Sequence, residues 1–324
     1  MFDAPLLFQP ILVPKVWGGC RLESLGKNLP AGKPIGESWE LADLPGDGPS
    51  SVVASGPHAG RSLRELLDTH EHDILGDVPL NAQGRFPLLI KFLDACDNLS
   101  VQVHPDQAWA ETHPGAYLKS EAWVVMNAQP GSRIWAGVSA ETTEVSMRQA
   151  LHDDRVTDCL QWRDAVVGSC HTLPSGTCHA LGKGVLVAEV QTTSDTTFRL
   201  WDWGRTDRTM HVDEALACID FTTPPPAEVP PTPIASGLQE TLLTDTPWFT
   251  MRRIDCAAAT AWRSDLDNAP LILMCVEGTA HVTTTGGTTK LAQGTVALLP
   301  AAMHTANVEM TEWTSIIAAT PRAV

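Results

Sequence analysis

The sequence predicts a mainly β fold of two related β-barrels with small helical insertions. Glycine and proline number 24 each in 324 residues, slightly above the usual share, which indicates frequent turns between short strands. Segments 168–179 and 294–304 each contain a glycine, a proline six residues later and a histidine four or five residues beyond. We expect each segment to be a strand–turn–strand unit that delivers its histidine into a barrel.

Charge and composition narrow the classes of partner. Hydrophobic residues make up 43% and charged residues 19%, which is enough to bury a core and too little charge for a disordered chain. The 22 Lys and Arg stand against 38 Asp and Glu, for a formal net charge of −16. We therefore expect neither nucleic acid nor an anionic membrane surface as a partner. An anionic substrate would need basic residues gathered locally.

The cellular compartment can be predicted from three patterns that the sequence does not show: a membrane span, a signal peptide and a disulfide framework. No apolar run approaches the ~18 residues of a membrane span, and prolines interrupt the first 17 residues, where a signal peptide needs a continuous apolar stretch. The eight cysteines form no CxxC pair, so we expect reduced thiols in a cytoplasmic protein rather than a disulfide framework.

A proline-rich segment divides the chain. Six prolines between residues 221 and 237 disfavour a regular element. We predict an N-terminal domain over 1–222, a linker over 223–238 and a C-terminal barrel over 239–324. Helical periodicity with polar starts predicts helices at 62–70 and 141–153. In the C-terminal part, Gly286-Gly287 between two Thr/Val-rich runs predicts a hairpin.

One strand of the N-terminal domain carries two potential metal ligands. Gln102 and His104 are two apart in LSVQVHP, so the period of a strand points both side chains to one face and Val101 and Val103 to the other. The alternative for the histidine is a hydrogen bond within the core.

Two further ligands strengthen the metal hypothesis. Glu121 opens a strongly apolar strand, where a carboxylate is costly without a cation or hydrogen bonds. His179 follows a turn and precedes the apolar run VLVAEV. Two histidines, a carboxylate and the Gln102 amide oxygen form a set suited to Zn²⁺ or Fe²⁺, with positions open for water or substrate.

Three basic residues lie close in sequence to these ligands. Lys91 and Arg199 have Leu, Ile and Phe as neighbours, and Lys119 comes just before Glu121. Such placement suits an anion pocket, in which an arginine offers a forked set of donors to a phosphate or a sugar oxyanion. The alternative is an internal ion pair with Glu189 or Asp195.

A series of motifs resembles a known family. PIGESWELAD, PLLIKFLDA, LSVQVHP, KSEAW, PSGTCHAL and QTTSDTTFRLWDWGR are similar, in order and spacing, to those of type I mannose-6-phosphate isomerases in their short bacterial form. The resemblance runs from about residue 8 to residue 220. It implies a cupin fold of two jelly-roll barrels, a catalytic N-terminal domain and a non-catalytic C-terminal barrel.

The resemblance also implies a cofactor, a substrate and site residues. It implies one zinc ion per chain, with His104, Glu121 and His179 as ligands and Gln102 as a fourth. The substrate would be a small sugar phosphate: mannose 6-phosphate and fructose 6-phosphate would interconvert through a cis-enediol. The remaining residues implied are catalytic Arg199, Lys119 and Glu189, and substrate-binding Lys91 and Glu37.

Three questions stay open at the level of sequence. The general base is undecided among Lys119, Glu189 and Glu37. Two histidines and a carboxylate also suit an iron-dependent cupin oxygenase, although the cations at 91, 119 and 199 argue against it. After the isomerase and the oxygenase, a third functional hypothesis is a non-catalytic cupin that only binds a sugar phosphate. The sequence does not indicate an oligomeric state.

Overall fold

The structure is a computed structural model that describes residues 2–232 and 237–323. Residues 233–236 of the predicted linker lie outside the described residues. The strands up to residue 201 are β1 (Leu6–Leu7), β2 (Ile11–Gly19), β3 (Ile35–Leu41), β4 (Leu88–Ala95), β5 (Val101–Val103), β6 (Glu121–Ala128), β7 (Arg133–Val138), β8 (Leu160–Asp164), β9 (Cys170–Leu173), β10 (His179–Leu181), β11 (Val185–Thr192) and β12 (Phe198–Trp201).

The C-terminal part is composed of strands and one short 3₁₀ helix (Ala301–Met303). Its strands are β13 (Leu238–Asp245), β14 (Phe249–Cys256), β15 (Thr260–Asp265), β16 (Leu271–Glu277), β17 (Thr279–Thr284), β18 (Gly287–Ala292), β19 (Val296–Leu299), β20 (Thr305–Met310) and β21 (Thr314–Pro321). The helices of the N-terminal part are α1 (Leu63–Leu75), α2 (Gln107–Thr112), α3 (Glu144–His152) and α4 (Val212–Cys218), with 3₁₀ helices at Arg21–Leu25 and Val156–Cys159. The prediction of a mainly β chain is confirmed.

The strands pair antiparallel in four sheets. Sheet 1 has the order β12-β5-β10-β7-β8, sheet 2 the order β2-β3-β4-β11-β6-β9, sheet 3 the order β1-β19-β16-β21-β14-β13, and sheet 4 the order β15-β20-β17-β18. The N-terminal part thus supplies sheets 1 and 2, and the C-terminal part supplies sheet 4 and most of sheet 3. The exception is β1, which pairs with β19 and so anchors the beginning of the chain in sheet 3.

The four sheets are stacked in order, with an apolar layer between each pair. Between sheets 1 and 2, Ile134 and Leu181 share a buried cluster with Leu93 and Val187. Sheets 2 and 3 contribute residues from their other faces to a larger cluster, and sheets 3 and 4 enclose a third. Sheet 2 is therefore buried on both faces.

This double burial explains why six of the eight residues of β4 are apolar. Ile90 and Phe92 belong to the cluster shared with sheet 3, whereas Lys91 and Leu93 point toward sheet 1. Alternation with period two is hidden in the sequence because both faces are apolar. Lys91 is the polar exception on the face that turns toward sheet 1.

The two predicted helices are confirmed. Ser62 caps α1 in a reciprocal capping box with Glu65, and the helix runs past the predicted residue 70 to Leu75. Thr143 caps α3 in the same manner. Buried residues of α3 and α4 cover the outer face of sheet 1, and those of α1 enter the cluster between sheets 2 and 3. In the described residues, no helix has the length and apolar character to cross a membrane.

The predicted hairpin is confirmed as β17–β18, but its turn lies one residue earlier than predicted. Thr284 is the partner of Gly287, so Thr285 and Gly286 form the loop. The Thr284 hydroxyl accepts from the Gly286 amide at 3.2 Å and donates to the Gly287 carbonyl at 3.1 Å. These local bonds close the turn before the second glycine.

The described part of the linker is tied to the N-terminal sheets. Val229 and Cys170 of β9 exchange two backbone hydrogen bonds, of 2.8 and 2.9 Å. Across the other contact between the two parts, Lys27 Nζ donates to the Gly294 carbonyl at 2.8 Å. The two parts of the chain are therefore joined by polar contacts as well as by the central apolar cluster.

Candidate active site and metal centre

The candidate site lies between sheets 1 and 2. On sheet 1, Arg199, Gln102 and His179 are directly opposite one another on the adjacent strands β12, β5 and β10. Directly paired residues share a face of a sheet. The pairing of strands that are far apart in sequence therefore gathers these three side chains into one row.

A second row crosses sheet 2. Trp39, Lys91, Glu189 and Trp123 are cross-strand partners on β3, β4, β11 and β6. A cavity of about 400 Å³ separates the two rows. Six of the residues singled out in the sequence line it: Glu37, Lys91, Gln102, Lys119, Glu189 and Arg199.

Three buried side chains beside this cavity form a candidate metal centre. The Nε2 atoms of His104 and His179 lie 3.5 and 3.2 Å from the two carboxylate oxygens of Glu121. One ligand atom from each residue falls within 4.8 Å of the others. His104 Nε2 and both carboxylate oxygens have no hydrogen-bond partner although they are buried. Orphaned polar atoms of this kind fit a bound cation.

Backbone carbonyls orient both imidazoles. His104 Nδ1–H donates to the Thr196 carbonyl at 3.0 Å, and His179 Nδ1–H donates to the Thr177 carbonyl at 2.8 Å. Each bond leaves the Nε2 lone pair directed at Glu121, as metal-binding histidines require.

Electrostatics keep these groups in their metal-binding forms. Burial and the neighbouring Lys119 ammonium lower the pKa of His104 to about 3, so its imidazole is neutral. Although burial opposes ionisation of Glu121, the Lys119 ammonium holds the pKa of its carboxyl well below the usual range. Lys119 Nζ lies 3.2 Å from Glu121 Oε2. The centre is a pair of imidazoles around a carboxylate, a donor set typical of Zn²⁺ or Fe²⁺.

Gln102 lies beside this centre. Its Nε2 atom is 3.3 Å from His179 Nε2, and its Oε1 atom accepts from the Ser100 hydroxyl at 3.3 Å. The amide nitrogen, not the expected oxygen, thus faces the ligands. A half-turn of the amide exchanges the two atoms and presents the oxygen.

Lys91 takes part in both arrangements that the sequence left open. Its Nζ atom is 3.5 Å from Glu37 Oε2 and 3.5 Å from Glu189 Oε1, so it forms a buried ion pair with Glu189. It also lines the cavity. Although burial disfavours its charge, Glu37 and Glu189 raise the pKa of Lys91 above its usual range.

The two carboxylates beside Lys91 differ in how fully they are bonded. Glu37 Oε1 is 2.9 Å from Lys15 Nζ, and its Oε2 accepts from Trp39 Nε1 at 2.6 Å. Against the effect of burial, Lys91, Lys15 and this hydrogen bond lower the pKa of Glu37 to about 2.

Glu189 keeps one oxygen without a hydrogen bond. Its Oε2 accepts from Trp123 Nε1 at 2.8 Å, whereas its buried Oε1 has no hydrogen-bond partner. Burial raises the pKa of Glu189, and Lys91 opposes that effect only in part. Of these two carboxylates, Glu189 is the one prepared to take up a proton.

Arg199 is the cavity's unneutralised cation. Its Nη1 donates to the Thr209 carbonyl at 2.6 Å and its Nε to the Ser100 hydroxyl at 3.3 Å. Among the described residues, no carboxylate lies within ion-pair distance of it. The cavity's other cations are each paired: Lys15, Lys91, Lys119 and Arg208.

Some residues that complete the cavity have little signal in the sequence. Lys15 reaches Glu37 because β2 bulges, so that Pro14 and Gly19 both lie opposite Ile35. Pro14 and Gly18-Gly19 within β2 are the residues in the local sequence that could have marked that bulge. Trp123 stands in an apolar strand and is indistinguishable from core residues until its partner Glu189 is known.

Comparisons with known proteins agree with this geometry. Residues 6–130 match the family described as phosphomannose isomerase type I, catalytic domain. A mannose-6-phosphate isomerase of Streptococcus mutans is 34% identical over 279 residues, which is 84% of each chain. The crystal structure of the mannose 6-phosphate isomerase from Bacillus subtilis superimposes with a TM-score of 0.85 at 27% identity, over 98% of this chain and 99% of that one.

A structure of mannose 6-phosphate isomerase bound with zinc and yttrium also matches, with a TM-score of 0.73 over 98% of this chain and 99% of that one. At 18% identity this likeness shows the fold alone. The predicted cupin-type fold is confirmed by these superpositions together with the four-sheet architecture. Because it is 34% identical to the Streptococcus mutans enzyme over 84% of each chain and matches the type I family over residues 6–130, the chain belongs to the type I mannose-6-phosphate isomerase family.

Proposed function

We propose that this enzyme interconverts mannose 6-phosphate and fructose 6-phosphate with the help of one zinc ion per chain. The observation that carries the proposal is a buried His104–Glu121–His179 centre next to a cavity whose lining includes Gln102, Lys119 and Glu189. Family membership supports the substrate. It favours an isomerase over an oxygenase or a non-catalytic binding protein.

The metal centre would hold its ion through His104 Nε2, His179 Nε2 and Glu121, with Gln102 as a fourth donor after a half-turn of its amide. The three triad side chains are buried, and His104 Nε2 and both Glu121 oxygens lack a hydrogen-bond partner, which supports a resident cation. Zinc bound there would act as a Lewis acid that orders the sugar hydroxyls and stabilises negative charge on their oxygens.

Glu189 is the residue we assign as general base. An aldose becomes a ketose when the C2 proton is removed, a cis-enediol forms and a proton returns to C1, while the hydroxyl proton of C2 is lost and one is gained at O1. Glu189 Oε1 is free to accept the C2 proton and to return it to C1. Glu37 is less suited, because both of its oxygens are bonded to cations or an indole.

The cations would bind the substrate and stabilise charge. Arg199, which has no carboxylate partner among the described residues, offers a planar fork of donors to the oxyanion that develops during the reaction. Lys119 would donate a hydrogen bond to a sugar oxygen from its place beside Glu121. Lys91 and Glu37 would bind hydroxyl groups along the floor of the cavity.

We also retain the predicted division of the chain as part of this proposal. The catalytic domain would comprise residues 1–222, and residues 239–324, beyond the 223–238 linker, would be structural. In the described residues, the triad of the N-terminal part is the single His, Cys, Asp and Glu group that could hold a metal. All eight cysteines are free, which supports the expected reducing compartment, the cytoplasm.

A coupled assay for fructose 6-phosphate formation tests the proposal. We expect turnover in the metal-loaded enzyme, loss on chelation and recovery when zinc is restored. Glu189→Gln should lower kcat by about 10² to 10⁴ and abolish exchange of the C2 proton with D₂O, at unchanged zinc content. Glu40→Gln is the matched control, because Glu40 is an equally buried carboxylate that pairs with Lys27 away from the cavity. Full turnover in metal-free protein, or in Glu189→Gln, would contradict the proposal.

A further inference from the structure

Two tryptophans flank the buried charges of sheet 2. Trp39 and Trp123 stand at the two ends of the cross-strand row whose middle members are Lys91 and Glu189. Trp39 is 5% exposed and Trp123 1%. Each indole N–H donates to a carboxylate: Trp39 to Glu37 at 2.6 Å and Trp123 to Glu189 at 2.8 Å.

The bond from Trp123 decides which oxygen of Glu189 is available. It occupies Oε2 and leaves Oε1 buried without a hydrogen bond, 3.5 Å from Lys91 Nζ. Without the indole, the carboxylate could rotate toward Lys91 and offer both oxygens to that ammonium. The hydrogen bond therefore holds Oε2 at the indole and leaves Oε1, in a side chain that lines the cavity, without a hydrogen bond of its own.

Trp123 is itself held in place by the metal centre. Its ring packs edge-on against the His179 imidazole, with ring centroids 5.4 Å apart. It also lines the cavity. One side chain thus contacts both a metal ligand and the carboxylate that we assign as the base, so it sets the position of one relative to the other.

We propose that Trp123 is a positioning residue for proton transfer by Glu189, and that Trp39 has the corresponding role for substrate binding by Glu37. This inference rests on the proposed function, since it takes Glu189 as the base. The two tryptophans differ in what remains when the N–H is removed. Among the described residues, Glu37 keeps Lys15 and Lys91 as partners, whereas Glu189 keeps Lys91 alone.

The charged groups around Glu189 set the direction of its response to pH. Lys91 faces it from β4, Glu37 from β3, Glu121 from the first position of β6, and Lys119 from the loop just before that strand. Burial already raises the pKa of Glu189. Loss of a donor that favours the ionised form moves that pKa further up.

The test compares Trp123→Phe with its matched control Trp39→Phe, since both keep a ring and delete one N–H. For Trp123→Phe we expect about a tenfold lower kcat, the size of one lost hydrogen bond to a charged group, with KM within about twofold. The acid limb of kcat/KM should move up by about one pH unit. For Trp39→Phe we expect a higher KM, with kcat and the acid limb nearly unchanged.

A double-substitution cycle separates positioning from a purely structural role. In a Glu189→Gln background, Trp123→Phe should cause no further loss of kcat, because the carboxylate it positions is gone. If Trp123→Phe does not fold, a tryptophan analogue with sulfur in place of the indole N–H can be incorporated at position 123. It keeps the shape of the ring system and removes the hydrogen-bond donor to Glu189. Zinc content and thermal stability are measured for each variant.

If Glu189→Gln has the strongly lowered kcat expected of it, two results would overturn this inference without affecting the proposed function. The first is a Trp123→Phe enzyme whose kcat, and whose acid limb in the pH profile of kcat/KM, are those of the wild type. The second is an equal loss of kcat from Trp123→Phe in the wild-type enzyme and in the Glu189→Gln background. A fully active Glu189→Gln enzyme would instead overturn the base assignment of the proposed function and this inference with it.

Discussion

The two ends of the molecule enclose interiors of different chemistry between similar pairs of sheets. Between sheets 1 and 2, polar and charged side chains cross both sheets in facing rows and border a cavity. Between sheets 3 and 4, the buried cluster is apolar and includes Trp262, Leu273, Cys275 and Val308. One architecture therefore encloses the candidate active site at one end and a closed apolar core at the other.

A comparison of two strands shows where the difference arises. Both β11 and β16 are buried along nearly all their length. In β11, the positions that face sheet 1 include Glu189, whereas in β16 the corresponding carboxylate, Glu277, stands exposed at the end of the strand. Burying a charge requires partners, and the N-terminal part supplies them from neighbouring strands. The fold thus tolerates a polar interior only where several strands contribute complementary groups.

The largest effect is expected from removing a ligand of the N-terminal centre. His179→Ala should eliminate both bound zinc and isomerase activity, because only one imidazole and one carboxylate would remain with Gln102. Elemental analysis of the purified protein and the coupled assay measure the two losses. A folded His179→Ala protein that keeps its zinc would show that the metal lies elsewhere.

A smaller effect is expected from a change that keeps the charge. Arg199→Lys should lower kcat by about 10² to 10³, since lysine lacks the planar fork of donors that the oxyanion needs. Zinc content and the melting temperature should remain near those of the wild type. Near-normal turnover would mean that Arg199 serves the structure, through Thr209 and Ser100, rather than the reaction.

The smallest effect is expected at the C-terminal end. His304 is exposed and His281 half-buried, and His304 occupies the place in its segment that His179 holds in the first. The double variant His281→Ala with His304→Ala should keep full zinc content and turnover, with at most a modest loss of stability. A halved zinc content, or loss of activity in a folded protein, would reveal a functional site in sheets 3 and 4.

Some features of the site could be predicted from local sequence. Alternation in LSVQVHP placed Gln102 and His104 on one side of a strand, and Glu121 stood out as a carboxylate opening an apolar strand. The structure gathers His104, Glu121 and His179 into one centre. Periodicity and capping residues likewise predicted α1 and α3, because a helix is determined largely by residues within a few positions of one another.

The sequence by itself determined which residue types could bind a metal and which apolar strands carry them. Its acidic charge balance also argued against nucleic acid as a partner. Only the tertiary structure decided how the buried charges are paired. Lys91 bonds both Glu37 and Glu189, Lys15 reaches Glu37 through a bulge, and Trp123 leaves one oxygen of Glu189 free. These contacts depend on the order β2-β3-β4-β11-β6 in sheet 2, in which β11 lies between strands that are distant from it in sequence. Local patterns record which face a side chain occupies, but only the assembled sheets determine which neighbour it meets there.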